Sequence, residues 1–183
     1  MEIKPLKLRG SFEITVNRIG DSRGYFMRSY DKKLFAENNL QTDWYQENQS
    51  YSSRLYTVRG LHFQKPPYSE TKLVRVVQGK ILDVFVDLRR DSETYGEWDS
   101  IELSDDNGKA IYIPRGFAHG FCTLTEYTLV QYKVDNVYTP SHEGGIRWND
   151  PTIKAEWNIN EDEAFLSDRD QTAPFFAGFD SPF

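Results

Sequence analysis

The hydrophobic pattern changes character near residue 55. Beyond it, short apolar runs with a period of two follow one another, each closed by a turn signal. The segments 55–63, 72–77, 80–88, 98–103, 109–114, 118–124 and 127–134 all read as strands. Gln78-Gly79, Asp105-Asp106-Asn107-Gly108, Pro114-Arg115-Gly116 and Thr125-Glu126 separate several of them as tight turns. Strands so short and so closely spaced predict a mainly β fold, an antiparallel sandwich or barrel, and not βαβ units. Before residue 55 the pattern is mixed. Residues 11–19 predict a first strand, and 31–38 predict a helix with Asp31 as its N-cap. A further short helix is predicted near 160–165. No repeat, low-complexity tract or flexible linker interrupts the chain, so residues 1–183 are expected to form a single domain.

The pleat also assigns faces. In 80–88, Leu82, Val84, Val86 and Leu88 share one side, while Ile81, Asp83, Phe85 and Asp87 share the other. Both sides are partly apolar, as expected of a wall covered inside and out. Asp83 and Asp87 then lie among hydrophobic neighbours, and each requires a hydrogen-bond partner or a task.

Composition narrows the function classes. The formal net charge of −6 leaves no general basic footprint for nucleic acid, although basic residues can still cluster around one phosphate group. The single cysteine, Cys122, precludes an intrachain disulfide framework and a cysteine zinc site, and its apolar setting reads as a buried thiol. No apolar run approaches membrane-spanning length, and the first ten residues carry charge where a signal peptide has its apolar core. No membrane association and a cytoplasmic location are the expectations. An aromatic content of 15% suits either a β core or a cleft for a sugar or base, and composition does not separate the two.

Candidate chemistry rests on few residues. His62, in Arg59-Gly60-Leu61-His62-Phe63-Gln64, and His119, in Phe117-Ala118-His119-Gly120-Phe121, are each flanked by glycine and apolar residues. Either is a reacting imidazole or a core histidine with its hydrogen bonds met. His142 lies in a polar loop and reads as solvated. Strict alternation sends Arg59 and His62 to opposite faces, whereas a bulge at Gly60 turns both toward one cavity. Lys72 heads an apolar strand on the side of Val74 and Val76, and its ammonium otherwise reaches water. Tyr132 shares a side with Val130 and Val134, and is otherwise a core ring with its hydroxyl at the rim. A Gly-rich phosphate loop, a nucleophile elbow and the His-x-His pair of a metal-binding barrel are all missing, so no metal is expected.

Asp21-Ser22-Arg23-Gly24, Gln46-Glu47-Asn48-Gln49-Ser50, the Arg59–Gln64 run, Lys72-Leu73-Val74-Arg75-Val76, Asp83 to Arg89, Ile113 to Phe121, Tyr132-Lys133 and Gly145 to Pro151 occur in one order along the chain. With them the sequence resembles the dTDP-4-dehydrorhamnose 3,5-epimerases of the cupin superfamily, over about residues 11–170. The resemblance implies a cupin-type antiparallel jelly-roll barrel with a few short helices, a homodimer, and neither metal nor organic cofactor. It makes the substrate a nucleotide-diphospho-4-keto-6-deoxy sugar. By the match, His62 is the base, Tyr132 the opposing acid and Lys72 the stabiliser of the enolate oxygen, with His119 lining the site. Asp170, in preference to Asp168, orients His62. Arg23 and Arg59 hold the diphosphate, Gln46 and Asn48 lie in the nucleotide cleft, and Phe26 and Arg28 complete the substrate-binding set toward the base.

The chain departs from the family pattern at Arg28, where an acidic residue is usual, at Ile19, where an aromatic ring is common, and at Tyr56-Thr57-Val58, which replaces a glycine-containing lead. All three concern the base end or its approach. Beside the 3,5-epimerase reading therefore stand a single-centre epimerase on another nucleotide sugar, CDP-linked for instance, and a non-catalytic sugar-nucleotide-binding cupin. Against the last, binding alone requires no base facing an acid.

Overall fold

Thirteen strands form where the alternation predicts most of them, and the computed structural model describes all 183 residues. In chain order they are β1 (Glu2–Pro5), β2 (Phe12–Thr15), β3 (Ile19–Asp21), β4 (Gly24–Phe26), β5 (Gln46–Ser52), β6 (Val58–Gln64), β7 (Lys72–Gln78), β8 (Lys80–Asp87), β9 (Trp98–Ser104), β10 (Lys109–Ile113), β11 (Phe117–Thr123), β12 (Thr128–Val134) and β13 (Glu143–Gly145). Two short α-helices accompany them, α1 (Lys32–Glu37) and α2 (Asp168–Gln171). All ladder pairings are antiparallel.

The strands form a six-stranded sheet, β1-β2-β10-β7-β12-β5, and a five-stranded sheet, β13-β6-β11-β8-β9, with β3 and β4 as a separate hairpin. Neighbours distant in sequence lie side by side, which is the jelly-roll arrangement of a cupin-type fold. Between the sheets, Val74, Val76, Ile111 and Val130 meet Ile81, Phe85, Leu103 and Phe121 in one buried cluster. Leu82, Val84, Val86 and Leu88 point the other way, into a second cluster roofed by Ile146, Trp148, Ile153 and Trp157 from the C-terminal segment. The outer face of the six-stranded sheet, with Ile14, Leu73 and Tyr112, is covered by Phe35 of α1 and Leu40. The chain is thus layered segment, sheet, sheet, helix. The two-sided character of 80–88 is its sequence signature.

Some boundaries differ from the pattern. The strand expected over 11–19 divides, because residues beyond Thr15 leave the sheet to build the exposed β3–β4 hairpin. The strand expected from residue 55 starts at Val58, after Tyr56 takes a left-handed conformation at φ 55°. Strand β5 is polar at most positions and escaped the apolar criterion; its alternate side chains are partly covered rather than buried in a core. The N-cap expectation is met, since the Asp31 side chain accepts from the Lys33 and Leu34 amides. Around 160–165 a single 3₁₀ turn forms, Glu161–Glu163, closed by a capping box between Asn160 and Glu163. No helix is long and apolar enough to cross a membrane.

Candidate active site

The site is created by an irregularity in β6. His62 pairs with His119 and Arg59 with Phe121, so three steps along β6 match two along β11. The extra residue is accommodated at Gly60, which has φ +126°. A Cβ there would lie 2.5 Å from the Gly120 Cα and 2.8 Å from the His119 carbonyl oxygen. Gly120 is equally constrained, since its own Cβ would stand 2.7 Å from the Arg59 carbonyl oxygen. Two glycines thus let the strands close up, and Arg59 and His62 both reach one cavity.

That cavity, about 300 Å³, is lined by Ser50, Arg59, His62, Lys72, His119, Tyr132 and Asp170 among others. An adjoining one of about 320 Å³ adds Gln46, Asn48 and Glu70 and shares His62, Lys72 and Tyr132 with it. His62 comes from the five-stranded sheet, while Lys72 and Tyr132 come from the six-stranded sheet. The imidazole and the phenol therefore enter from opposing walls.

His62 Nε2 bonds Asp170 Oδ1 at 2.6 Å, leaving Nδ1 as the ring nitrogen without a protein partner. Asp170 is fixed in turn at the start of α2, where its amide donates to Ser167 Oγ at 3.2 Å. Burial pushes the Asp170 carboxyl up, but the hydrogen bond and charge of His62, with the Gly60 amide and Ser167, outweigh it and hold it below the usual carboxylate range. A carboxylate that accepts the Nε2 proton leaves the other nitrogen free as a base. Lys72 Nζ lies 3.3 Å from Glu70 Oε1 with both side chains largely covered. Burial first, and then the negative charge of Glu70, raise the Tyr132 phenol above its ordinary value, so it stays protonated as a donor. Behind the cavity His119 Nε2 bonds Asp83 Oδ2 at 2.8 Å; this is the partner that the buried Asp83 required. Burial raises the Asp83 carboxyl against the opposing pull of His119.

An imidazole held by a carboxylate, a lysine and a protonated phenol around one cavity can in principle serve proton transfer beside a carbonyl. The family model for dTDP-4-dehydrorhamnose 3,5-epimerase matches residues 5–178. The chain belongs to this family. A dTDP-4-dehydrorhamnose 3,5-epimerase from Methanothermobacter thermautotrophicus is 43% identical over 165 residues, covering 90% of this chain and 88% of that one. The crystal structure of the enzyme from Bacillus anthracis, with TDP and pyrophosphate bound, is 41% identical with a TM-score of 0.92 over 96% of this chain and 99% of that one. An epimerase from Legionella pneumophila, in complex with dTDP-4-keto-L-rhamnose, is 34% identical with a TM-score of 0.92 over 98% of this chain and 94% of that one. The protein is thus an isomerase of the epimerase class.

In this epimerase the residues anticipated from sequence fall into two places. His62, Tyr132, Lys72, Asp170, Arg59, His119, Gln46 and Asn48 line the joined cavities. Arg59 is held there by Ser52 Oγ at 3.1 Å and the Tyr51 carbonyl at 3.0 Å. Arg23, Phe26 and Arg28 do not join them within the chain. Arg23 binds Asp21 within the exposed hairpin and Arg28 binds Asp31, while Phe26 and Arg28 border a separate cavity against α1. Other residues at the site were not anticipated. Glu70 is one, and the chain Tyr138 Oη to Glu143 to Arg169, with contacts of 2.8 Å at each step, is another. Burial raises the Glu143 carboxyl, but Arg169 and Tyr138 outweigh it and hold it low. The spacing Glu70-x-Lys72, which places opposite charges two residues apart at a strand entry, was the available signal for the first. No group of three or more His, Cys, Asp or Glu is arranged to hold a metal.

Proposed function

We propose that the protein inverts C3 and C5 of a dTDP-linked 4-keto-6-deoxy sugar through an enolate, with its own side chains as the acid and the base. The single observation that carries this reading is that His62, paired with Asp170, and Tyr132 enter one cavity from opposing sheets.

In this reading His62 Nδ1 takes the proton from the carbon beside the ketone, and Asp170 steadies the imidazolium that results. Electrons move from the breaking C–H bond into the ketone, which becomes the enolate oxygen, and Lys72 stabilises it. A positioned base contributes roughly 10²–10⁴-fold, and an oxyanion donor about 3 kcal/mol. Tyr132 then gives its proton to the carbon from the other face; solvent recharges the phenolate and takes the abstracted proton from the His62 imidazolium, which restores the pair. The ketone is the electron sink, so the reading calls for no cofactor. Rotation of the sugar in the pocket presents the second carbon to the same pair. Arg59 serves the diphosphate, Gln46 and Asn48 the nucleotide cleft, and His119 the sugar end.

The reading includes a homodimer, in the cytoplasm and without membrane contact. Its support is that Ile19, Tyr25 and Phe26 leave large apolar surface exposed on the β3–β4 hairpin, and that Arg23, Phe26 and Arg28 stand apart from the cavity in one chain. A second copy brings them to a site.

Incubation with dTDP- and CDP-linked 4-keto-6-deoxyglucose, followed by proton NMR, tests the reading. Conversion of the dTDP sugar with both centres inverted is expected, and His62→Ala abolishes it while dTDP binding persists. Inversion at one carbon, or preference for the CDP sugar, indicates a single-centre or CDP-specific epimerase. Loss of binding together with turnover in His62→Ala assigns His62 a structural role.

A further inference from the structure

Glu70 stands two residues ahead of Lys72 and takes part in no step described above. Its Oε1 lies 3.3 Å from Lys72 Nζ, with side-chain exposures of 11% and 13% for the pair. Its Oε2 accepts from Gln64 Nε2 at 3.0 Å. Gln64 is buried and tied down on all sides: its amide also donates to the Tyr68 and Val137 carbonyls, and its oxygen accepts from the Thr139 amide at 2.7 Å. Gln64 follows His62 by two residues on β6, so the two side chains share a side of that strand. A chain of contacts thus runs from the strand that bears the base, through Gln64 and Glu70, to the lysine on the facing sheet.

We propose that Glu70 is a positioning residue for the epimerisation, gripped by Gln64 so that it fixes the Lys72 ammonium and sets a negative charge beside Tyr132. The inference rests on the roles given above to His62, Lys72 and Tyr132. Without Glu70 the ammonium has no anionic partner within ion-pair distance and loses its registration with the base-bearing strand. Burial, then Glu70, raises the Tyr132 phenol; Glu143 and Tyr138 add to this and Arg59 opposes it. Lys72, His62, His119, Arg169 and Asp170 border the same space. Removing the Glu70 charge therefore lowers the pH at which the phenol is lost as a donor.

Glu70→Gln and Glu70→Asp separate the two effects. In Glu70→Gln the charge is gone and one acceptor oxygen remains, enough for Gln64 or for Lys72 but not for both. We expect kcat to fall about tenfold or more with KM within about threefold, and the basic limb of the kcat profile to move to lower pH. Glu70→Asp keeps the charge and shortens the reach. It should lower kcat while leaving the basic limb at the wild-type position. Wild-type kcat and an unmoved basic limb in Glu70→Gln overturn the proposal, as does identical behaviour of the two variants. Melting curves report folding; should Glu70→Gln not fold, wild-type kcat in Glu70→Asp overturns it instead. A wild-type enzyme without turnover refutes the epimerase reading, whereas an active wild type with an inert Glu70→Gln change refutes this inference alone.

Discussion

Asp170→Asn exchanges the carboxylate that accepts the hydrogen bond of His62 Nε2–H for an amide of the same shape. The bond at stake is 2.6 Å long, and the Asp170 side chain is 6% exposed, so water cannot substitute for it. A hydrogen bond to a charged group contributes about 1.5–3 kcal/mol against about 1 kcal/mol for a neutral one. Loss of the charge therefore removes about 0.5–2 kcal/mol of imidazolium stabilisation, roughly two- to thirtyfold in rate at about 1.4 kcal/mol per decade. The amide also donates to Nε2, which places the ring proton on Nδ1 and disables the base in part of the population. Together these give a fall of roughly 10²–10³-fold in kcat, below the ~10⁴ seen when the buried aspartate of a serine-protease triad becomes asparagine. The assay is deuterium washout from the dTDP-4-keto sugar under single-turnover conditions, with dTDP affinity measured in parallel. Asp168→Asn is the control, because Asp168 is exposed and bonds neither histidine. A washout rate within threefold of wild type in Asp170→Asn, or an equal loss in Asp168→Asn, refutes the orienting role.

Three further outcomes follow from the same geometry. Gly120→Ala sets a Cβ 2.7 Å from the Arg59 carbonyl oxygen, on backbone that cannot rotate away, and should cost about 1–3 kcal/mol. A thermal melt lowered by about 5 °C, with activity lost through displacement of His62, is expected; an unchanged melt contradicts the close approach. Asp87 is fully buried. Burial raises its carboxyl, but Arg89, Ser92 and Thr94 outweigh it and hold it below the ordinary 3.8. Because its folded-state value lies below its unfolded one, its contribution is present above pH 3.8 and fades as pH falls through the folded value. Asp87→Asn should destabilise by about 2 kcal/mol at pH 7 and reduce the steepness of acid unfolding, both read by denaturant titration. Cys122 is buried and its thiol is pushed up to about 12, so alkylation of the native protein at pH 8 should be slow and follow unfolding; rapid labelling without unfolding contradicts its burial.

The sandwich was legible wherever a strand has a face to bury. Segment 80–88 shows this best: its two apolar stripes each feed a separate core in the fold. Strand β5 was not legible, because it lines a polar cavity and lacks the apolar alternation that betrays a strand. The bulge that turns His62 and Arg59 inward was marked by Gly60. Its counterpart Gly120, whose missing Cβ makes room for it, is meaningful only once the two strands are known to pair. Pairings across long separations were beyond reach in the same way. His62 and Asp170 are 108 residues apart, and only the family resemblance brought them together before the structure did. Asp83 announced its need for a partner without naming His119. Arg23, Phe26 and Arg28 formed a motif in sequence, yet within one chain they occupy a hairpin away from the cavity.

If a base and an acid serve opposite faces of the same carbon, Tyr132→Phe in heavy water separates their two contributions. His62 remains able to remove the proton and return a deuteron, but the opposite face has lost its donor. Substrate recovered from the variant is expected to carry deuterium beside the ketone with its configuration unchanged, whereas the wild type yields label only with inversion. Inversion by Tyr132→Phe at the wild-type rate, or label and inversion lost in strict proportion, would contradict this assignment.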